Sequence, residues 1–201
     1  MPLKFRPAEP RDAEQAVPLI YRSGPAAFDY AFRRAGLTAE GFLQAAFVDG
    51  AGMFGYPRHW VGELGGKVVA TGTGYSGEVN LRNMLSATRQ IMLCYGPISA
   101  FPVMFNGLQL EQIIQPPPRQ TYYLAHLGVA ESMRGEGIGT RLVEHLLKLG
   151  RAAGFQRAAL DVAASNPQAQ ALYERLGFVV EDERVSRLSG IANHRFMIKA
   201  L

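Results

Sequence analysis

The chain of 201 residues has one cysteine, Cys94, and one tryptophan. A single thiol excludes an internal disulfide and any metal site built from several cysteines, so no metal is expected. Cys94 reads as a small buried hydrophobe. No run of roughly 18 uncharged apolar residues occurs, the length that a bilayer-spanning helix needs. The longest candidate, residues 90–105, is interrupted by Gly96, Pro97 and Pro102. Charges at Lys4, Arg6, Glu9, Arg11 and Asp12 leave no apolar core for a signal peptide. The expectation is a cytoplasmic protein with no membrane partner. The basic residues never cluster beyond Arg33-Arg34, so the stripe that marks nucleic-acid binding is missing. There is no GxxxxGK(S/T) loop for a nucleotide triphosphate. Acidic residues are absent from Val79 through Leu110.

What is present describes an ordinary globular domain: 48% hydrophobic and 19% charged residues, with a net charge of +4. The chain is long enough to bury a core without staples, and residues 1–201 read as one domain. Residues 4–6 read as a strand. Helical periodicity follows in residues 13–20, 26–35 and 38–47, with Thr38 as an N-cap. Residues 60–64 and 67–73 flank Gly65-Gly66, a two-residue hairpin turn. Residues 77–119 form a probable helical insertion, with helices at 79–93 and 103–114, ended by Pro116-Pro117-Pro118. It reads as extra packing, a dimer face or a lid over an acceptor. After it, strand 121–129, helix 138–153, strand 157–162, helix 167–176 and a strand from Phe178 imply a parallel pair within a mixed α/β sheet.

Two glycine patterns compete for a phosphate. Gly72-Thr73-Gly74-Tyr75-Ser76-Gly77 matches GxGxxG after a strand, but the acidic residue that a dinucleotide site needs some 20 positions later is missing. Arg134-Gly135-Glu136-Gly137-Ile138-Gly139 sits between a strand end and an amphipathic helix. Its glycines let a ligand approach the backbone, and the first N–H groups of the helix have no intrahelical acceptors. Such a loop cradles a pyrophosphate or merely reverses the chain.

The same residues carry a resemblance. Arg134 to Gly139 matches the Gln/Arg-x-x-Gly-x-Gly/Ala signature of the GCN5-related N-acetyltransferase (GNAT) superfamily. Asn166-Pro167-Gln168-Ala169, followed by Leu172-Tyr173-Glu174-Arg175-Leu176-Gly177-Phe178, resembles the family's second motif at the right distance. The resemblance covers about residues 121–180. It implies an α/β (mixed α+β) fold of the GNAT type, with the insertion between the third and fourth strands. It also implies a cofactor, acetyl-CoA, as acyl donor, with its pyrophosphate on the backbone of Arg134, Gly135, Gly137, Ile138, Gly139 and Thr140.

By the same resemblance Leu127 and Val129 would bond the pantetheine arm across a strand that splays from its parallel neighbour. The Leu127 amide would face the thioester oxygen, and Asn166 would bond the pantetheine or cap its helix. Tyr173 would protonate the departing thiolate. The implied reaction is direct attack by the primary amine of an unidentified acceptor, a small molecule or a peptide. No base stands out: Tyr123 and Ala125 occupy the positions expected to hold one. His126 is adjacent but should face the other way, and Glu111 is a second candidate. His59, His145 and His194 read as surface or structural residues, and His194 could also line an acceptor site. The alternative is a non-catalytic acyl-CoA-binding sensor or interaction module on the same fold. The resemblance also suggests a possible homodimer.

Overall fold

The computed structural model describes residues 2–76, 81–116 and 118–201. Seven strands form one sheet: β1 (Lys4–Pro7), β2 (His59–Leu64), β3 (Lys67–Ser76), β4 (Tyr122–Val129), β5 (Arg157–Ala163), β6 (Val179–Arg184) and β7 (His194–Ala200). Their spatial order is β1-β2-β3-β4-β5-β7-β6. All neighbours are antiparallel except β4 and β5. The expected mixed sheet with one parallel pair is therefore present. β2 and β3 join through Gly65 and Gly66, both at positive φ, as a tight hairpin turn requires.

One face of the sheet carries α5 (Ile138–Ala152). Leu142, Val143, Leu146 and Leu147 lie on one side of this helix and pack on Ala70, Leu124, Leu160 and Met197. The spacing i, i+1, i+4, i+5 gives the apolar stripe that the sheet buries. The other face carries α1 (Ala13–Arg22), with Val17, Leu19 and Ile20 against Val61 and Val68. α2 (Pro25–Phe32) and α3 (Ala39–Asp49) extend this layer. Thr38 caps α3 by accepting from the Gly41 amide at 3.0 Å, and α6 (Pro167–Arg175) follows β5.

The insertion differs from its expected outline. α4 runs from Leu81 to Leu110, with non-helical backbone at Gly96. The second segment thus starts at Pro97 rather than near residue 103. Proline suits a first helical position, where its missing N–H would have no partner. Pro97 therefore begins the second segment rather than breaking it, while Pro102 lies inside it. Among the described residues, Leu85–Leu110 is the one helix long and apolar enough, by length and composition, to cross a bilayer. Its inner side packs Ile91, Tyr95, Ala100 and Val103 on Phe42 and Ala46 of α3. Its outer side leaves Leu93, Ile98, Phe101, Phe105 and Leu108 exposed. Polar ties fix it in place: Tyr30 Oη donates to Gln109 at 2.6 Å, Asn106 donates to the Tyr30 carbonyl at 2.8 Å, and Gln90 donates to Asp49 at 2.8 Å. The start of the predicted helix at 79–80 and the middle proline, Pro117, lie outside the described residues.

Candidate active site

β4 and β5 pair only at Tyr122↔Ala158 and Tyr123↔Ala159. Beyond Tyr123 the two strands part, so one edge of β4 has no strand partner. A bulge on the opposite edge accompanies the split: Thr71 pairs with Gly128 and Thr73 with Ala125, so His126 and Leu127 together oppose Gly72. Extra residues of this kind bend a strand and re-aim its side chains. His126 takes a φ of 55°, a left-handed conformation that costs a non-glycine residue about 1–3 kcal/mol.

Packing holds that strain. The His126 ring stacks on Phe54 with centroids 5.2 Å apart and on His59 at 5.2 Å, and His59 Nε2 meets His126 Nδ1 at 3.0 Å. Two residues on, position 128 is glycine because α1 presses on it: a Cβ at Gly128 would lie 2.3 Å from the Leu19 carbonyl oxygen.

The bulge corrects the reading of His126. Plain alternation would turn it away from Tyr123 and Ala125, but the extra residue cancels one step. His126 therefore lines the same cleft as they do. Burial holds both imidazoles neutral, pushing His59 down to about 4 and His126 well below the usual histidine value. His59 is a structural residue as expected, and fully buried. His194 is buried and lines the cleft, while Phe5 and Trp60 pack on the ring of His145.

The split opens into a cleft of about 830 Å3 that joins both faces of the sheet. Its C-terminal end contains Leu127, Val129, Arg134, Gly135, Gly137, Ile138, Gly139, Thr140, Asn166 and Tyr173. Every site residue singled out by resemblance thus meets in one cavity. Gly135 and Gly137 have φ of 84° and 72°, which explains glycine at both. Gly137 is the N-cap of α5, and the first helical bond runs from Arg141 N–H to the Gly137 carbonyl at 3.1 Å. The amides of Ile138, Gly139 and Thr140 precede that bond and have no intrahelical acceptor. Gly139 keeps the helix close to its neighbours: a Cβ there would lie 3.3 Å from Leu172 and 3.7 Å from Val129. This donor-rich turn, with glycine at 135, 137 and 139, fits a pyrophosphate.

Asn166 caps α6, accepting from the Ala169 amide at 3.1 Å, with Pro167 in the first turn. Tyr173 is buried, packs edge-on to Phe178 at 6.1 Å, and has its phenol pushed up to about 12 by desolvation. It stays protonated at neutral pH.

The competing GxGxxG pattern has another explanation. Gly72 and Gly74 lie inside β3, where Cβ atoms would come within 2.8 Å of Leu127 and 2.3 Å of Tyr122. These glycines admit neighbouring side chains rather than a nucleotide. Gly77 lies outside the described residues.

The other end of the cleft is lined by Phe28, Phe32, Met53, Phe54, Tyr75 and Tyr123, with Leu110, Glu111 and Ile114 from the end of the insertion. Glu111 is exposed at the rim. Sequence reading missed Asp161 of β5, which lies in the same cleft. Its signal was a lone charge inside the apolar run Ala158-Ala159-Leu160-Asp161-Val162-Ala163. Among the described residues no cluster of three or more metal-ligating side chains occurs.

Comparison with known proteins decides the family. The model of the acetyltransferase (GNAT) family matches residues 26–178. The chain belongs to the GNAT family. An N-acetyltransferase structure from Staphylococcus aureus Mu50 superposes with a TM-score of 0.71 at 20% identity, covering 98% of this chain and 100% of that one. At that identity the likeness concerns the fold. Among curated relatives, a 5-NmdU N-acetyltransferase of Pseudomonas phage PaMx11 is 40% identical over 60 residues, 30% of this chain and 41% of that protein. The N-alpha-acetyltransferase MAK3 of Arabidopsis thaliana is 41% identical over 63 residues, 30% of this chain and 33% of that protein. The matched segments thus span well under half of these relatives. As a GNAT fold, the sheet places its helical insertion after the third strand, as expected.

Proposed function

We propose that this protein transfers an acetyl group from acetyl-CoA to a primary amine by direct attack. The observation that carries this reading is the parting of β4 from β5 beyond Tyr123, which leads from the glycine turn at α5 past Tyr173 to an aromatic chamber. Residues 134–140 would hold the pyrophosphate by backbone amides, with the Arg134 cation beside it. The free edge of β4, including Leu127 and Val129, would bond the pantetheine amides and present a donor to the thioester oxygen as charge develops there. Tyr173 would give its proton to the leaving sulfur.

The aromatic end argues for the kind of acceptor. Its walls are Phe28, Phe32, Phe54, Tyr75 and Tyr123, with Asp161 inside and Glu111 at the rim. That lining suits a monoamine with an apolar or aromatic body; a polycation would find too few partners for its remaining charges. The test is release of CoA thiol from acetyl-CoA in the presence of an amine panel. Arylalkyl- and alkylamines should be acetylated at least tenfold more efficiently than polyamines or aminoglycosides. Preference for a polycation would refute the acceptor assignment, and no thiol release with any amine would refute the activity.

A further inference from the structure

An alkyl amine arrives as an ammonium ion at neutral pH and must lose a proton before it can attack a thioester. The question of where that proton goes rests on the function proposed above. His126 is a poor acceptor, because burial disfavours its charged form and its Nδ1 already faces His59 Nε2 at 3.0 Å. Glu111 lies exposed at the rim of the cleft.

Asp161 stands at that point. It lies two residues beyond Ala159, whose partner Tyr123 makes the last β4–β5 pair. Its side chain is only 3% exposed. Tyr123 Oη donates to one carboxylate oxygen at 2.6 Å, and Arg184 Nη1 donates to the other at 3.1 Å. Arg184 is divided among several partners. It also donates to the Ile113 carbonyl at 3.2 Å, pairs with Asp182 at 3.3 Å and covers the Phe196 ring at 4.8 Å. The groups facing the carboxylate are therefore Tyr75 from β3, Tyr123 from β4, and Asp182 and Arg184 from β6. Phe196 is its register partner on β7, with His194 beside Ala163 on the same strand.

We infer that Asp161, acting through the hydroxyl of Tyr123, accepts the proton that the acceptor ammonium gives up. The ammonium N–H proton passes to Tyr123 Oη while the proton of Tyr123 moves to Asp161 Oδ2. The carboxylate becomes a carboxylic acid, the phenol is restored and the amine is neutral. The nitrogen lone pair then forms the C–N bond, and the C–S bond breaks with its electron pair on sulfur. Tyr173 protonates the sulfur, and the surplus proton on the new amide nitrogen replaces the one Tyr173 has given. Asp161 returns its proton to solvent after product leaves. Burial outweighs the hydrogen bond from Tyr123 and the pull of Arg184 and pushes the carboxyl up to about 6, which makes it a stronger base than an exposed carboxylate.

The test is kcat/KM for the amine against pH, at saturating acetyl-CoA, in the wild type, Asp161→Asn, Asp161→Glu and Tyr123→Phe. The wild type should show an acidic limb near pH 6. Asp161→Asn should lose at least 100-fold and the limb with it, Tyr123→Phe should lose at least tenfold, and Asp161→Glu should recover part of the loss with a displaced limb. Thermal stabilisation by acetyl-CoA should be unchanged in all four. Tyr123→Phe keeps the ring and carries the test alone if Asp161→Asn does not fold. An unchanged limb in Asp161→Asn, or in Tyr123→Phe where it stands alone, overturns the inference, as does activity within threefold of wild type. If the wild type acetylates no amine, the functional reading fails and takes this inference with it.

Discussion

The two ends of the cleft are built from different materials. The donor end is mostly backbone: the free edge of β4, two glycines at positive φ and the first amides of α5. The acceptor end is mostly side chains, gathered from α2, residues 53–54, β3, β5 and the tail of the insertion. A backbone site depends on a few glycines at fixed spacing, whereas a side-chain site depends on how distant segments pack. The first therefore tolerates little change at its glycines and much elsewhere. The second can be rebuilt for another acceptor without disturbing the first.

The largest expected effect breaks the donor end. Gly137→Val puts a β-branched residue at φ 72° on the N-cap of α5. Titration calorimetry should show the dissociation constant for acetyl-CoA rising at least tenfold, with the circular dichroism of the folded protein retained. Retained affinity would show that the turn does not hold the pyrophosphate. Removing one hydroxyl should separate chemistry from binding. Tyr173→Phe is expected to lower kcat by roughly 100-fold while the acetyl-CoA dissociation constant stays within twofold. A change in affinity with kcat preserved would make Tyr173 a packing residue only.

The histidine pair sharpens the comparison at the acceptor end. His59 has a folded value of about 4, below its ordinary 6.5. Its contribution to stability is complete above pH 6.5 and falls away as the pH drops toward 4, because only the unfolded chain then gains the proton. Asp161 opposes this in part of the same window. Its folded value of about 6 exceeds its ordinary 3.8, so its protonation favours the folded state as the pH falls. A difference measurement isolates His59. Between pH 7 and 4.5 the wild type should lose on the order of 2 kcal/mol more than His59→Asn, read from urea midpoints. Equal losses would show that His59 does not govern acid stability.

A smaller effect belongs to Asn166. Asn166→Ala removes the cap on the Ala169 amide and should cost about 1 kcal/mol, lowering Tm by about 3 °C. The smallest is expected on the outer side of α4. Phe101 is 69% exposed, and Phe101→Ser should leave both Tm and kcat/KM unchanged within error in differential scanning calorimetry and thiol-release assays.

The same contrast explains what the sequence disclosed. The family resemblance placed Gly135, Gly137, Asn166 and Tyr173 on one site, because the two motifs that carry it are local runs of residues. The β2–β3 hairpin was legible for the same reason. The start of the second α4 segment at Pro97 was not, since proline breaks a helix interior but begins a helix well. His126 was assigned to the opposite face because a bulge is invisible to strict alternation. That bulge is created by the mismatch of β3 against β4, some 50 residues apart. Asp161 was missed although it is a lone charge in an apolar strand, because only the fold brings Tyr123 and Arg184 to it.

The account rests on the claim that acetyl-CoA enters where β4 leaves β5. Hydrogen–deuterium exchange with and without acetyl-CoA measures this directly. The amides of residues 127–140 should become protected on binding, with exchange in the first segment of α4, residues 85–95, unchanged. Protection confined to α4, or binding with no change across residues 127–140, would contradict it.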